Sequence, residues 1–334
     1  MRSLTIPLLT VMFLVAGILC SAQMKQNDAA GKPAAILPAK DWFLSTGIWQ
    51  TDPQLYVCEY GTGKDTVVML HGGWGGDYSG LLSAVANLGN QFHFVFYDQR
   101  GSLRSPFPDS LITFEQHIQD VERLRAELGI EKLNLVGHSM GAVLASAYAA
   151  KYPNHIGRLV LLAPAALKNR LPADERILYD SANIKFTAFL HRPAIEEELK
   201  KYNLNRNSPP LSSQEETMKF RILVFSRMVF NVSRCSDLAG GRALYKGHVF
   251  ELTEKTYPAS GWNYIGEFSK QHYPVTILAG DHDFLDYGNV LATKWSEEVP
   301  RIKLKIIKRA GHMLWLDQPA EFEKNLRLAL KGKN

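Results

Sequence analysis

Three side chains that together could carry out nucleophilic catalysis occur in the order Ser139, Asp283 and His312. A serine hydroxyl is a poor nucleophile at neutral pH, so it needs a base within hydrogen-bonding distance. His312 is the candidate base, and it could afterwards return the proton to a leaving group. A carboxylate must hold the imidazole in the correct tautomer, and Asp283 is preferred for this role over Asp281. Asp317, which follows His312, is expected at the surface.

The segment around Ser139 has the pattern Gly-x-Ser-x-Gly between a strand and a helix. An apolar run over residues 133–136 precedes it, and an Ala-rich pattern typical of a helix follows as far as Ala150. This order of strand, sharp turn and helix lifts a serine hydroxyl out at the end of the strand. Gly137 and Gly141 suit the turn because a side chain at either position would crowd it. Ser139 is therefore predicted to be the nucleophile.

A second glycine-rich segment, His-Gly-Gly-Trp-Gly-Gly over residues 71–76, follows a predicted buried strand. It lacks both the Gly-x-Gly-x-x-Gly pattern and the Gly-Lys-Ser ending of phosphate-binding loops. Bare backbone can instead approach a substrate closely and point an N–H group at a developing negative charge. Gly73 or Trp74 is predicted to supply one such N–H group, and Met140, the residue after the nucleophile, the second.

Apolar runs of strand length alternate with helical patterns, at about 55–60, 66–70, 92–97, 133–136, 158–162, 275–279 and 302–307. This alternation predicts an α/β fold with a mostly parallel, doubly wound sheet. In such sheets the functional residues lie beyond the carboxyl ends of the strands. Ser139, Asp283 and His312 each follow a strand, so they are expected to gather at one edge of the sheet.

The alternation breaks between about 167 and 268, where helical periods occur without a clear strand pattern. One helix is predicted to start at 192–193 and another to span about 215–230. The segment 167–268 is therefore predicted to be a helical cap, inserted into a core formed by 42–166 and 269–334.

The start of the chain resembles a targeting segment. Arg2 precedes an apolar run over about 6–19, which is too short to span a bilayer comfortably, and small residues follow. Residues 1–22 are therefore predicted to be a signal peptide, which implies export to the periplasm or the exterior and a mature chain without a membrane span. Lipid attachment at Cys20 is the less favoured alternative. Residues 23–41 are polar and then Ala- and Pro-rich, as in a flexible arm.

Composition narrows the class of partner. The 334 residues are 46% hydrophobic and 21% charged, which is ordinary for a globular protein. The net charge of +5 is mild, and the absence of a basic patch interleaved with aromatic residues argues against nucleic-acid binding. Two cysteines remain in the predicted mature chain, Cys58 and Cys235, and they could pair or stay free. His282 lies between two aspartates, but three adjacent residues on one loop cannot close around a metal without further ligands, so no metal site is expected. No other cofactor is expected either.

From about residue 55 to 330 the chain resembles the α/β-hydrolase superfamily. The matching motifs are His71-Gly72-Gly73, Asp98-Gln99-Arg100-Gly101, Gly137-His138-Ser139-Met140-Gly141, Gly280-x-x-Asp283 and Gly311-His312. Within the superfamily the chain looks most like the proline iminopeptidases, which carry a helical cap and release N-terminal residues, typically proline, from peptides. That group usually has Pro in place of Trp74 and Gly-Gly-Ser-Trp-Gly around the nucleophile. The superfamily's dehalogenases and epoxide hydrolases use an aspartate nucleophile, which Ser139 argues against.

The resemblance implies an aminopeptidase that acts on short peptides through an acyl-enzyme, and the predicted signal peptide implies that it is exported. Such an enzyme needs carboxylates near the pocket to hold the substrate ammonium group. The candidates in the cap are Glu215, Glu216, Glu251, Glu254 and Glu267. A carboxylic-ester or lipid hydrolase would use the same three catalytic residues and is the alternative, with a small molecule as substrate. A non-enzymatic binding protein is the third possibility, although it would be expected to lose a catalytic residue. The sequence does not indicate the oligomeric state.

Overall fold

Eight strands form one mostly parallel sheet in the computed structural model, which describes residues 40–47, 52–237 and 245–332. The strands are β1 Lys40–Ser45, β2 Gln54–Tyr60, β3 Asp65–Leu70, β4 Phe92–Tyr97, β5 Leu133–His138, β6 Ile156–Leu162, β7 Val275–Gly280 and β8 Ile302–Ile307. Their order across the sheet is β1-β2-β4-β3-β5-β6-β7-β8. The contacts of β1 with β2 and of β2 with β4 are antiparallel, and all the others are parallel. The predicted α/β class is confirmed.

The predicted signal peptide, Cys20 and the arm as far as residue 39 lie outside the described residues. The arm was predicted to extend to residue 41, which is wrong by two residues because β1 begins at Lys40. β1 pairs with β2 with Trp42 opposite Val57. Leu44 is its one buried side chain, so β1 has little hydrophobic pattern by which to recognise a strand.

The burial of each strand follows its place in the sheet. Every residue of β7, which lies inside the sheet, is buried, as expected for a parallel strand covered on both faces. β8 is the edge strand, and its Lys303 and Lys305 are exposed. The parallel strands all run in the same direction, so their carboxyl ends lie along the same side of the sheet. The loops that follow β3, β5, β7 and β8 meet there.

Helices of the core cover the sheet: α1 Ser79–Ala84, α2 Phe114–Glu127, α3 Met140–Lys151, and, after the cap, α9 Val290–Glu298, α10 Leu314–Asp317 and α11 Pro319–Lys331. α3 packs against β3, β5 and β6, and its residues from Gly141 to Ala149 are all buried. Its alanine-rich sequence fits this position, because small side chains let the helix approach the sheet closely. The nucleophile segment is thus held by packing on several sides.

The cap lies between β6 and β7 and contains α4 Ala173–Leu190, α5 Ala194–Lys201, α6 Ser213–Phe225, α7 Gly247–Glu254 and α8 Tyr264–Phe268. Among its described residues there is no strand, although a single β-bridge joins Lys168 to Asn263 near its two ends. α6 ends at Phe225, before the predicted 230, because a 3₁₀ turn over Ser226–Met228 and an extended Val229 follow it.

Cys58 on β2 and Cys235 in the cap are both free and buried. The possible disulfide between them is therefore not formed. No helix in the described ranges is long and apolar enough to cross a membrane.

Candidate active site

The turn after β5 holds Ser139 in a backbone conformation that L-residues rarely adopt, with φ 56° and ψ −121°. Hydrogen bonds on both sides of the residue hold this conformation. Its N–H donates to the carbonyl oxygen of Leu162 at 3.0 Å, and its own carbonyl oxygen accepts from the N–H groups of Ala142 at 3.0 Å and Ala165 at 3.2 Å. A strained residue kept in place by its surroundings is a common feature of functional sites.

Close backbone approaches explain the glycines around Ser139. A Cβ atom on Gly137 would lie 2.3 Å from the carbonyl oxygen of Gly141, and one on Gly141 would lie 2.2 Å from that of Leu70. A Cβ atom on Gly72 would lie 2.7 Å from the Cβ atom of Ser139 itself. Each of these distances is shorter than a van der Waals contact, so any larger residue would move the turn.

His312 and Asp283 meet at the ends of β8 and β7. The Nδ1 atom of His312 lies 3.0 Å from Oδ1 and 3.1 Å from Oδ2 of Asp283, and each residue is 2% exposed. Asp283 Oδ1 also accepts the N–H of Leu285 at 3.0 Å. A carboxylate can only accept, so the imidazole proton lies on Nδ1 and Nε2 is left as the basic atom.

The alternative carboxylate, Asp281, has other partners. Its Oδ1 atom lies 2.7 Å from Nδ1 of His282 and accepts the N–H of Ala310 at 3.3 Å. The structure thus brings Asp283, and not Asp281, to His312. His282 packs against the ring of Phe230 at a centroid distance of 4.6 Å. Among the described residues there is no group of three or more His, Cys, Asp or Glu residues that could hold a metal ion.

His138 is a neighbour of the site that the sequence analysis passed over. Its Nε2 atom lies 3.2 Å from the carbonyl oxygen of His312, and the two rings are 4.6 Å apart between centroids. The carbonyl can only accept, so His138 carries its proton on Nε2. Burial holds the pKa of His138 well below its usual value, so the ring stays neutral. The one signal in the sequence was its place beside the nucleophile, a position that the Gly-x-Ser-x-Gly pattern leaves open.

The predicted oxyanion loop follows β3 and faces the nucleophile turn. Gly73 has φ +69°, which favours glycine, and Met140 is the first residue of α3, where N–H groups have no partner within the helix. The Trp74 side chain is fully buried, and its Nε1 donates to the Tyr257 hydroxyl at 2.6 Å. Only the backbone of Trp74 could therefore face a substrate. The cap covers this loop through Tyr245, whose ring lies 3.4 Å from the position of a Cβ atom on Gly73.

Two polar residues near this edge serve structure. Gln99 donates its N–H to Nε2 of His71 at 3.0 Å, and burial lowers the pKa of His71. The buried carboxylate of Asp98 accepts two hydrogen bonds from Arg104, at 2.7 and 3.0 Å, and the N–H of Tyr78 at 3.3 Å. These contacts fix the loops after β3 and β4, and the Oε1 atom of Gln99 remains buried without a hydrogen-bond partner.

A cavity of about 210 Å³ adjoins Asp283, between the loop after β6, α4 and α9. Much of its lining is apolar, including Leu171, Leu285, Leu291 and Trp295, and Lys168, Arg176, Asp286 and Asn289 are among its polar residues. Ala165, whose N–H bonds to the backbone of Ser139, also lines it. Of the three candidate catalytic residues, Asp283 lines the cavity and Ser139 and His312 do not, so the cavity is a candidate substrate pocket that adjoins the site on the Asp283 side.

The five glutamates singled out in the cap lie elsewhere. Glu215 bonds to Arg206 at 2.7 Å and caps α6, and Glu267 pairs with Lys270 at 2.9 Å. The other three are exposed: Glu216, Glu251 and Glu254. Of these five described residues, none lines the cavity. Glu175 is a buried carboxylate of the cap, and it forms an ion pair with Lys168 at 2.5 Å.

With the fold and this geometry established, comparison with known proteins places the chain in a family. A family model described as the alpha/beta hydrolase fold matches residues 65–319, so the chain belongs to the α/β-hydrolase family. A proline iminopeptidase of Saccharolobus solfataricus is 39% identical over 266 residues, which cover 77% of this chain and 82% of the relative. The α/β-hydrolase fold with a helical insertion is therefore confirmed, as is the resemblance to proline iminopeptidases.

Two solved structures show the same fold. A proline iminopeptidase-related protein from Thermus thermophilus has a TM-score of 0.61 and 22% identity, covering 88% of this chain and 98% of its own. The naproxen esterase of Bacillus subtilis has a TM-score of 0.56 and 17% identity, covering 87% of this chain and 91% of its own. The fold is thus shared by proteins whose names refer to different substrates.

Proposed function

We propose that the protein is a serine hydrolase in which Ser139 is the nucleophile, His312 the base and Asp283 the residue that orients it. The observation that carries this proposal is the buried contact of the Asp283 carboxylate with Nδ1 of His312, at 3.0 and 3.1 Å. It leaves Nε2 of His312 as the proton acceptor. The strained turn that presents Ser139 at the same edge of the sheet supports it.

The reaction proceeds in two halves. Ser139 Oγ attacks the carbonyl carbon of the substrate while its proton passes to Nε2 of His312. The backbone N–H groups of Met140 and of Gly73 or Trp74 stabilise the resulting oxyanion. As the tetrahedral intermediate collapses, the proton passes to the leaving amine or alcohol and an acyl-Ser139 ester remains. Water then attacks this ester with His312 again as the base, which releases the acid and restores the serine.

For the substrate, we propose a short peptide with a free amino terminus, from which the N-terminal residue is released. The similarity to the proline iminopeptidases, and the helical cap over the site, support this activity. A substrate ammonium group buried under the cap would need a carboxylate partner. Asp286 is a carboxylate that lines the cavity, and its two oxygens also accept the N–H groups of Leu291 at 3.0 Å and Ala292 at 2.8 Å.

Hydrolysis of a carboxylic ester is the second candidate, and the placement of the cap glutamates favours it. None of the five predicted candidates lines the cavity, while apolar side chains line much of it. Burial raises the pKa of Asp286 to about 6, so this carboxylate holds its charge less readily than an exposed one. An uncharged acyl group would need no carboxylate partner at all.

The two activities are separated by the ratios of kcat/KM for a free prolyl or alanyl arylamide, its N-acetylated form, and short acyl esters. We expect the free arylamide to be cleaved at least about tenfold faster than the acetylated one, because one buried charge pair is worth about 2–5 kcal/mol. Equal rates for the free and the acetylated arylamide, or faster cleavage of the esters than of either amide, would contradict the aminopeptidase proposal and support the esterase. Ser139→Ala should lower kcat for every substrate by about a thousandfold or more.

Export is part of the proposal and rests on the apolar run near the start of the sequence. N-terminal sequencing of the chain recovered from the producing cells tests it. We expect the mature chain to begin just after Ala22. A chain that keeps its first residues and stays inside the cell would contradict export, without affecting the proposed chemistry.

A further inference from the structure

We propose that Asp317 is a positioning residue that couples the cap to the catalytic base. This inference rests on the proposed role of His312. Asp317 was expected at the surface, and this expectation is wrong: the residue is half-buried at the end of α10, between the cap and the loop that carries His312. Burial raises the pKa of its carboxyl group.

The Asp317 carboxylate joins three backbone N–H groups from two parts of the chain. Its Oδ2 atom accepts from Phe230 at 2.7 Å and from Gly311 at 2.8 Å, and its Oδ1 atom accepts from Asn231 at 2.9 Å. Phe230 and Asn231 belong to the cap, whereas Gly311 directly precedes the base. Hydrogen bonds to a charged acceptor are stronger than neutral ones, so this carboxylate is a firm link between the two segments.

A second contact fixes the other side of His312 to the same cap segment. Met313 donates its N–H to the carbonyl oxygen of Met228 at 3.0 Å. A Cβ atom on Gly311 would lie 2.7 Å from that same oxygen, so the close approach depends on glycine at this position. The base therefore lies between Gly311, which Asp317 links to the cap, and Met313, which bonds to the cap directly.

This arrangement divides the control of the base between two carboxylates. Asp283 sets the rotation and tautomer of the imidazole ring, while Asp317 sets where the main chain of the loop places that ring. Displacements of about 1 Å at a reacting group can cost about a hundredfold in rate. The position of the cap thus affects the distance between the base and the nucleophile through the hydrogen bonds of Asp317.

The test compares Asp317→Asn with Asp281→Asn in the full-length chain. Asparagine has one acceptor oxygen and no charge, so it cannot hold all three N–H groups. Asp281 is the matched control, because its carboxylate also bonds to this loop, at Ala310, but not to the cap. The main readout is the second-order rate of Ser139 labelling by a fluorophosphonate, which requires the base but no knowledge of the natural substrate. The kcat and KM for an ester or arylamide and the midpoint of urea unfolding complete the set.

We expect Asp317→Asn to slow labelling and to lower kcat by about tenfold or more, with KM nearly unchanged. Asp281→Asn should label at close to the wild-type rate. Wild-type labelling of Asp317→Asn, together with a lower unfolding midpoint, would show that Asp317 serves stability alone and would overturn the proposal. If the wild-type protein itself is not labelled, the serine hydrolase proposal fails, which is a distinguishable result.

Gly311→Ala provides a second test that leaves Asp317 intact. The added methyl group would push the loop away from Met228, so labelling should slow in the same way. If Asp317→Asn does not fold, this variant decides the outcome. Labelling of Gly311→Ala at the wild-type rate would contradict a link between cap contact and base position.

Discussion

Two buried side chains hold His312 from different directions. Asp283 contacts the ring through both carboxylate oxygens, and His138 donates to the carbonyl oxygen of the same residue at 3.2 Å. Phe284 packs its ring against the imidazole at 4.8 Å, so apolar surface completes the surroundings. A base held in this way needs little reorganisation when the nucleophile reacts, which is the basis of electrostatic preorganisation.

Exchange of the two candidate carboxylates for amides tests their assignment. Asp283→Asn should lower kcat by about four orders of magnitude, because an amide can hold the imidazole in the wrong tautomer. Asp281→Asn should change kcat far less, since its carboxylate bonds to His282 and not to His312. Steady-state kinetics on any accepted substrate provide the comparison. The opposite ranking would reassign the orienting role to Asp281.

Two substitutions of His138 separate its hydrogen bond from its packing. His138→Leu leaves the buried carbonyl oxygen of His312 unpaired, which should cost about 1–3 kcal/mol in the free energy of unfolding and also lower kcat. His138→Gln retains an N–H donor and should keep more of both. Urea unfolding and kcat, measured side by side on the two variants, check this order. Equal behaviour of the two variants would mean that the hydrogen bond is unimportant.

What the sequence reveals about single residues depends on how local their signal is. Ser139 was recognisable because glycines, a strand and a helix surround it within a few residues. Asp283 and His312 were selected as candidates because each follows a predicted strand. His138 and Asp317 were not assigned their contacts, because their partners are main-chain atoms up to 174 residues away. A contact with a distant backbone atom leaves no pattern in the neighbouring sequence.

At the scale of elements, the approach of α3 to the sheet depends on the absence of side chains. Gly141 lies where the helix begins, and a Cβ atom there would lie 2.2 Å from the carbonyl oxygen of Leu70 on β3. The helix and the strand thus meet backbone to backbone. This contact sets the height of Ser139 above the sheet, since the nucleophile lies two residues before Gly141.

A pair of glycine-to-alanine substitutions in helices tests this approach. Gly141→Ala should lower the free energy of unfolding by about 1–3 kcal/mol or more, or prevent folding, because the added methyl group would overpack against rigid backbone. Gly80→Ala in α1 should be neutral or stabilising by up to about 1 kcal/mol, because its nearest neighbour would lie 3.9 Å away and alanine favours helix. Soluble yield and urea midpoints give the result. Wild-type stability of Gly141→Ala would exclude the close approach.

The elements that the sequence did not reveal are those with weak hydrophobic patterns. α4 is the longest helix of the described cap, yet its buried residues are only Glu175, Ala182 and Phe186. These three residues do not form an apolar stripe, because one is charged, one is small and one is aromatic. The ends of α4 could therefore not be predicted from the sequence. The strands from β3 to β7 were located to within two residues, because interior strands are nearly continuous apolar runs.

At the scale of the whole molecule, buried histidines govern how stability responds to pH. Burial lowers the pKa of His71, and it places the pKa values of His117 and His138 well below the usual value. The unfolded chain binds protons at these sites below about pH 6.5 while the folded chain does not. Stability at these sites is therefore lost as the pH falls. Burial raises the pKa values of three carboxyl groups that act in the opposite direction: Asp120, Asp286 and Asp317. The pKa of Asp286, about 6, favours the folded state as the pH falls from about 6 to 4.

The three histidines titrate in the unfolded chain from about pH 6.5, above the pKa of about 6 of Asp286, so the free energy of unfolding should fall as the pH is lowered from about 7 to 6. Each histidine contributes about 1.4 kcal/mol per pH unit below its unfolded-state pKa. His117→Phe should reduce the slope by about that amount, because the ring still packs on Trp74 but no longer titrates. Urea unfolding at several pH values measures the free energy of unfolding, and a value that does not change with pH would contradict the prediction.

The two free thiols bear on how long the protein survives outside a cell. Burial raises the pKa of Cys58 to about 11 and that of Cys235 to about 12, so both stay as unreactive thiols while the chain is folded. An oxidant can reach them only when the chain opens, and a mismatched disulfide or a sulfenic acid would then prevent return to the folded state. Each opening of the chain therefore carries a risk of irreversible inactivation by oxidation. In an oxidising medium the lifetime of the folded protein is therefore set by the rate at which it opens and not by its equilibrium stability.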